Sequence, residues 1–120
     1  MTSETEIFKW LDNSQIVSRY EVWDFQEDNE SYLLKLKIEF TDKSELFTRE
    51  SIKRNLRKYS FHWQSEDGLL IIRWDNANHH RDLATFPHHR HEQNEENVME
   101  NKEVALIDIL KFILNKFFKD

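Results

Sequence analysis

The chain has 120 residues, 38% of them hydrophobic, no cysteine, and a formal net charge of −6 with histidine neutral. That length predicts one domain, residues 1–120, with a single core, and the lack of cysteine excludes disulfides and thiolate zinc sites, as in a reducing cytoplasm. With one glycine and one proline, no P-loop or dinucleotide fingerprint can be built, so no nucleotide cofactor is expected; nucleic acid, if bound, must meet a local basic patch.

The opening MTSETE is acidic and has no apolar run, so it does not read as a secretory leader. The longest apolar region, Val104 to Phe118, is broken by Asp108, Lys111 and Lys116. No membrane span is expected, and the cytoplasm is the expected location.

Ser3-Glu4-Thr5-Glu6 has capping-box spacing, and Ile7, Phe8, Trp10 and Leu11 follow at helical spacing. A short helix ending near Asp12-Asn13-Ser14 is expected. Ile16 to Gln26 reads as a strand and Glu27 to Glu30 as a turn. Leu34, Leu36, Ile38 and Phe40 alternate with Lys35, Lys37 and Glu39, a period-two pattern with one buried face. Thr41 to Ser44 turns the chain, and Glu45 to Glu50 returns as a third strand. Arg49 to Lys58 is basic, reading as a solvated connector with a helical turn capped by Ser51, or as a phosphate- or partner-facing patch.

Tyr59 to His91 contains all six histidines together with Gly68 and Pro87. Asp67-Gly68 between two β-rich runs predicts a type I′ hairpin turn. In that register Trp63 faces Ile72, His62 faces Arg73 and Phe61 faces Trp74. Side chains alternate, so Tyr59, Phe61, Trp63, Leu70, Ile72 and Trp74 share an apolar face. Ser60, His62, Gln64, Ile71, Arg73 and Asp75 share the other. The chain then supplies His79, His80 and Arg81. It returns through Leu83–Phe86, expected as a short strand, to His88, His89, Arg90 and His91. If this return loop folds over the polar face, imidazoles converge there on a guanidinium.

Glu92 to Asn101 is acidic and Asn-rich and reads as a loop. Asn101 is expected to cap a helix from Lys102 to Lys119, whose apolar face runs through Val104, Leu106, Ile107, Leu110, Ile113, Leu114 and Phe117. The expected architecture is α+β: an antiparallel meander of five or six strands, with N- and C-terminal helices packed on one face and the other face open.

Three chemistries fit the histidines. In a metal-independent endoribonuclease, His62 and one of the later histidines serve as base and acid and Arg73 as the phosphate cation, with no cofactor. In a metal site, His89 and His91, spaced H-x-H, act with His62 or Asp75. In a structural network, imidazoles order a glycine-poor loop. Adjacent histidines on an extended chain point opposite ways, so all six cannot meet at one centre.

Two strings stand out together: HWQ-x-x-DG-x-L-x-x-RWDNA-x-HH at His62 to His80, and TFPHH-x-H at Thr85 to His91. The pair resembles the TumE family, the toxin component of type II toxin–antitoxin systems in bacteria and archaea. The resemblance covers most of the chain, including Ile16 to Glu50, Lys58-Tyr59 and the C-terminal helix. It departs at Asn78 and around Arg81, where the family often has proline, and at Asn101-Lys102, where it often has Pro-Thr. The resemblance implies a cognate antitoxin, a helix-turn-helix DNA-binding protein, as partner. The candidate site residues are His62, Arg73, His88 and His89, with Asp75 and His80 orienting them. RNA or the translation machinery is the candidate target, no membrane is needed, and a homodimer is compatible with the sequence. A non-catalytic module holding a metal, nucleotide or protein on the same surface is the alternative.

Overall fold

A computed structural model describes residues 4–117 of the chain. The first helix, α1, is Glu4–Asn13. Its proposed capping residue, Ser3, lies outside the described residues. Seven strands follow in sequence order, β1 Val17–Glu27, β2 Ser31–Phe40, β3 Glu45–Lys53, β4 Leu56–Gln64, β5 Leu70–Asp75, β6 His89–Glu92 and β7 Val98–Glu100. Helix α2, Leu106–Phe117, closes the chain. Every strand pairs antiparallel with its neighbour in sequence, giving one meander. The α+β class and the two helices are as expected, but the sheet has seven strands rather than five or six.

The alternation of β2 sets the two faces. Leu34, Leu36, Ile38 and Phe40 are all at most 2% exposed, whereas Lys35, Lys37 and Glu39 face the other side. Register carries this parity across the sheet. Leu46, Phe61, Tyr59, Trp63, Ile72 and Trp74 join the apolar face. Ile7 and Leu11 of α1 and Leu106, Ile109, Leu110 and Ile113 of α2 cover it. Phe40 against Phe117 and Trp74 against Phe112 mark the seam. Each buried aliphatic of this layer adds about 1.5–3 kcal/mol through area removed from water, and among the described residues no helix packs on the opposite face.

Five expectations about connections and element ends need correction. Arg49 to Lys58 is no connector with a helical turn. It is the β3–β4 hairpin, in which Lys53 pairs with Leu56 across Arg54 and Asn55, at φ 51° and 66°. Two left-handed residues in a two-residue loop make this the type I′ turn. The turn at Asp67-Gly68 is another kind. Only Gly68 has positive φ, 82°, and the Ser65 amide donates to the Leu69 carbonyl around a three-residue loop. A bulge between Trp63 and Gln64 absorbs the offset, so Trp63–Ile72, His62–Arg73 and Phe61–Trp74 still pair as expected. Leu83–Phe86 forms successive turns, not a strand. Part of the acidic segment is β7, paired with β6. Finally, α2 starts at Leu106, not Lys102. The Asp108 carboxylate accepts from the Ala105 amide, while Asn101 receives Arg90 instead of capping.

Candidate functional site

The open face can be read as two rows across the strands. One row runs Glu21, Lys37, Phe47, His62, Arg73, His91 and Val98. The other runs Asp24, Lys35, Arg49, Ser60, Asp75, His89 and Glu100. Each is a line of directly opposed partners, whose Cβ atoms in antiparallel sheets sit about 4.5–5.5 Å apart. Strand pairing alone therefore places His62 beside Arg73, and Asp75 beside His89.

The chemistry concentrates around Asp75, a carboxylate only 5% exposed. Its Oδ2 accepts from Arg73 Nε at 3.1 Å and lies 3.6 Å from His91 Nε2. Its Oδ1 accepts from the Ala77 amide at 3.0 Å and lies 2.9 Å from His89 Nε2. On the other side of Arg73, Nη1 donates to His62 Nδ1 at 3.4 Å, and His62 Nε2 donates to Gln64 Oε1 at 3.2 Å. His62 is thereby held with its lone pair on Nδ1. Partial burial, and then the Arg73 charge, hold its pKa below the usual 6.5, so it stays neutral near pH 7.

The loop after Asp75 comes back over this face because short polar side chains bend it there. Ala77 donates to Asp75, an Asx-type turn. Asn76 accepts from the Tyr59 amide and donates to the Arg57 carbonyl, so it extends the β4 ladder by a side chain. His80 then lies with its ring centroid 4.8 Å from His89 and 5.8 Å from His91, and His89 and His91 are 5.0 Å apart. A cavity of about 570 Å3 opens beside them, lined by Arg73, Asp75, His80, His89 and His91 among others. A neighbouring cavity of about 420 Å3 holds Trp23, Lys35, Phe47, Arg49, His62 and Arg73.

Of the six candidate residues, His62, Arg73, Asp75, His80 and His89 share the open face. His88 does not. As the neighbour of His89 on the chain it points to the helix side. There the Tyr59 hydroxyl and its Nδ1 share a hydrogen bond of 2.9 Å, and the two rings stack at 15°. Burial pushes the Tyr59 hydroxyl up to about 12, so it stays protonated at any physiological pH. His91 joins the group in its place, and the H-x-H spacing was the signal for it, because residues two apart on a strand share a face. Trp23, Phe47, Lys35 and Arg49 also reach this surface, and only cross-strand register could have placed them.

A family model described as Toxin TumE matches residues 7–117. The chain belongs to the TumE toxin family. No curated protein and no solved structure matches it. The two strings that carried the resemblance are the ones that build the cluster around Asp75. RWDNA supplies Arg73, Asp75 and the bend. The HH that follows brings His80, and the last string brings His89 and His91. Among the described residues no helix is long and apolar enough to cross a membrane.

Proposed function

We propose that this TumE-family toxin acts on RNA, or on translation through RNA, by laying a single strand across the open face. The observation that carries the reading is the pairing of stacking surface with unneutralised cations. Trp23, 56% exposed, packs against Phe47 with ring centroids 5.7 Å apart, and Phe47 packs against His62 at 6.4 Å. Lys35 and Arg49 stand directly opposite each other, and neither is in an ion pair among the described residues. Like charges in that position destabilise a sheet; a phosphate between them reverses the sign. Aromatic platforms flanked by cations are how single strands are held without sequence preference.

His62 and Arg73 stand at the end of this platform. A neutral imidazole can take the proton of a 2′-hydroxyl, and an adjacent guanidinium can bind the phosphate that the resulting oxyanion attacks; the P–O5′ bond then breaks as a 2′,3′-cyclic phosphate forms, and the departing 5′-oxygen takes a proton from solvent. Asp75 keeps Arg73 in place. A cognate antitoxin, of the helix-turn-helix DNA-binding type that the family resemblance implies, would neutralise the protein by covering this face in the cytoplasm.

The test is growth after induction of the protein alone in a bacterium, with each variant checked for equal abundance. Wild type arrests growth, His62→Ala relieves the arrest, and His88→Ala, altered on the opposite face, leaves it intact. Normal growth with abundant wild-type protein overturns the toxin reading. Arrest that survives His62→Ala but is lost in Trp23→Ala supports RNA binding without catalysis.

A further inference from the structure

We infer that His80, His89 and His91 form a binding site for one first-row divalent cation of the zinc type, distinct in role from the His62–Arg73 pair. One ring nitrogen from each can be chosen so that all three lie within 4.8 Å of one another. Two of the three are fixed in the orientation that ligation requires. His89 Nδ1 donates to the Pro87 carbonyl at 2.8 Å, and His91 Nδ1 donates to the Glu95 carbonyl at 2.8 Å. A carbonyl can only accept, so each Nδ1 carries a proton and each Nε2 is turned inward. Metal-binding histidines are oriented by this same outer bond to a backbone carbonyl.

What the two Nε2 atoms meet inside is the Asp75 carboxylate, at 2.9 and 3.6 Å. Lone pairs and a carboxylate facing one another with both imidazoles almost fully buried, at 2% and 7% exposure, form a set of acceptors that a cation satisfies. His80 brings the third nitrogen from the overlying loop, and its ring has no hydrogen-bond partner among the described residues. The alternative occupant is a pair of protons, giving an imidazolium cluster on Asp75 and no metal. His80 weighs against that occupant: protons shared between Asp75 and the two Nε2 atoms leave the nitrogen lone pair of His80 without a role, whereas a metal uses it.

Three imidazoles suit zinc, cobalt or nickel, not magnesium or calcium, which take oxygen ligands.

The experiment uses tag-free protein stripped with EDTA and titrated with ZnCl2 or MgCl2, read by elemental analysis after desalting and by the unfolding midpoint. One equivalent of zinc is expected to be retained, with a higher midpoint, and magnesium is expected to do neither. His80→Ala is expected to weaken zinc binding at least tenfold, about 1.4 kcal/mol. His80 lies on a loop and is only partly buried, so this variant keeps the fold. His79→Ala and His62→Ala are expected to bind as wild type. Absence of stoichiometric zinc overturns the inference. So does binding that His80→Ala leaves unchanged, or that His79→Ala abolishes. The measurement is independent of growth arrest, so either proposal can fail alone.

Discussion

His62 sits between a guanidinium and a carboxamide, and that position determines how it titrates. Burial comes first and the Arg73 charge second in lowering its pKa, while Gln64 and the carboxylate of Glu95 pull the other way. Because the folded-state pKa lies below the 6.5 of the unfolded chain, the unfolded state takes up the proton first as pH falls. The contribution of His62 to stability is therefore full above about pH 6.5 and is lost as pH drops through its folded-state pKa. Arg73→Gln removes the charge but keeps a donor, so the His62 midpoint should move up toward 6.5, followed by NMR titration of its ring protons. A midpoint that stays put, or falls, contradicts the contact. The neighbour that could not be placed from the sequence was His88. The string HHRH holds two alternating sets, 88 with 90 and 89 with 91, and only the β5–β6 register decides which set meets Asp75. Once Asp75 pairs with His89, His88 must face Tyr59 on the other side.

At the scale of elements, the period-two runs were legible and the links between them were not. β2 and the β4–β5 pair announced their faces through strict alternation, which depends on the local chain alone. β7, only Val98–Glu100, has no such pattern; it exists because β6 offers it an edge. The turns misled for a related reason. Asp-Gly names two compatible loops, and the bulge at Gln64 selects the three-residue one, while Arg54-Asn55 adopts the type I′ form that sequence preference would assign to Asp-Gly. With one glycine available, left-handed positions fall to Lys43, Arg54, Asn55 and Gln93. The β2–β3 and β4–β5 loops are built alike. The Phe40 amide donates to Ser44 around Lys43 at φ 71°, as the Ser65 amide donates to Leu69 around Gly68 at φ 82°. This likeness gives a matched pair of predictions. Lys43→Gly should stabilise by about 0.5–1 kcal/mol, the relief of a left-handed side chain less the added freedom of the unfolded chain. Gly68→Ala should destabilise by about 1 kcal/mol, although a Cβ there meets nothing within 4 Å, because the strain lies in φ. Urea midpoints of the two variants against wild type should move in opposite directions; movement in the same direction refutes the shared geometry.

For the molecule as a whole, both helices lie on one side of the sheet, so the other side is left to the two rows of polar, basic and aromatic residues. The net charge of −6 is unfavourable for RNA only if it is spread evenly. It is not. A cavity of about 720 Å3 at the β1–β2 turn gathers Glu4, Glu27, Asp28, Glu30 and Glu50, whereas the open face sets Lys35, Arg49 and Arg73 around Trp23 and Phe47. The acidic cavity has no histidine in its lining and sets one arginine, Arg54, against five carboxylates, which disfavours phosphate there and accords with the proposed path over the smaller cavities. This asymmetry makes the salt dependence of binding a sharper probe than affinity itself. Each phosphate neutralised on a single strand contributes about −0.7 to the slope of log K against log salt concentration. If Lys35 and Arg49 each meet one phosphate, the double change Lys35→Gln and Arg49→Gln should flatten that slope by about 1.4 for a short unstructured RNA, measured by fluorescence anisotropy over a salt series. Trp23→Ala removes stacking and not charge. It should weaken binding by about 1–3 kcal/mol and leave the slope unchanged. Equal slopes for wild type and the double variant would place the phosphates elsewhere and remove the open face as the RNA path.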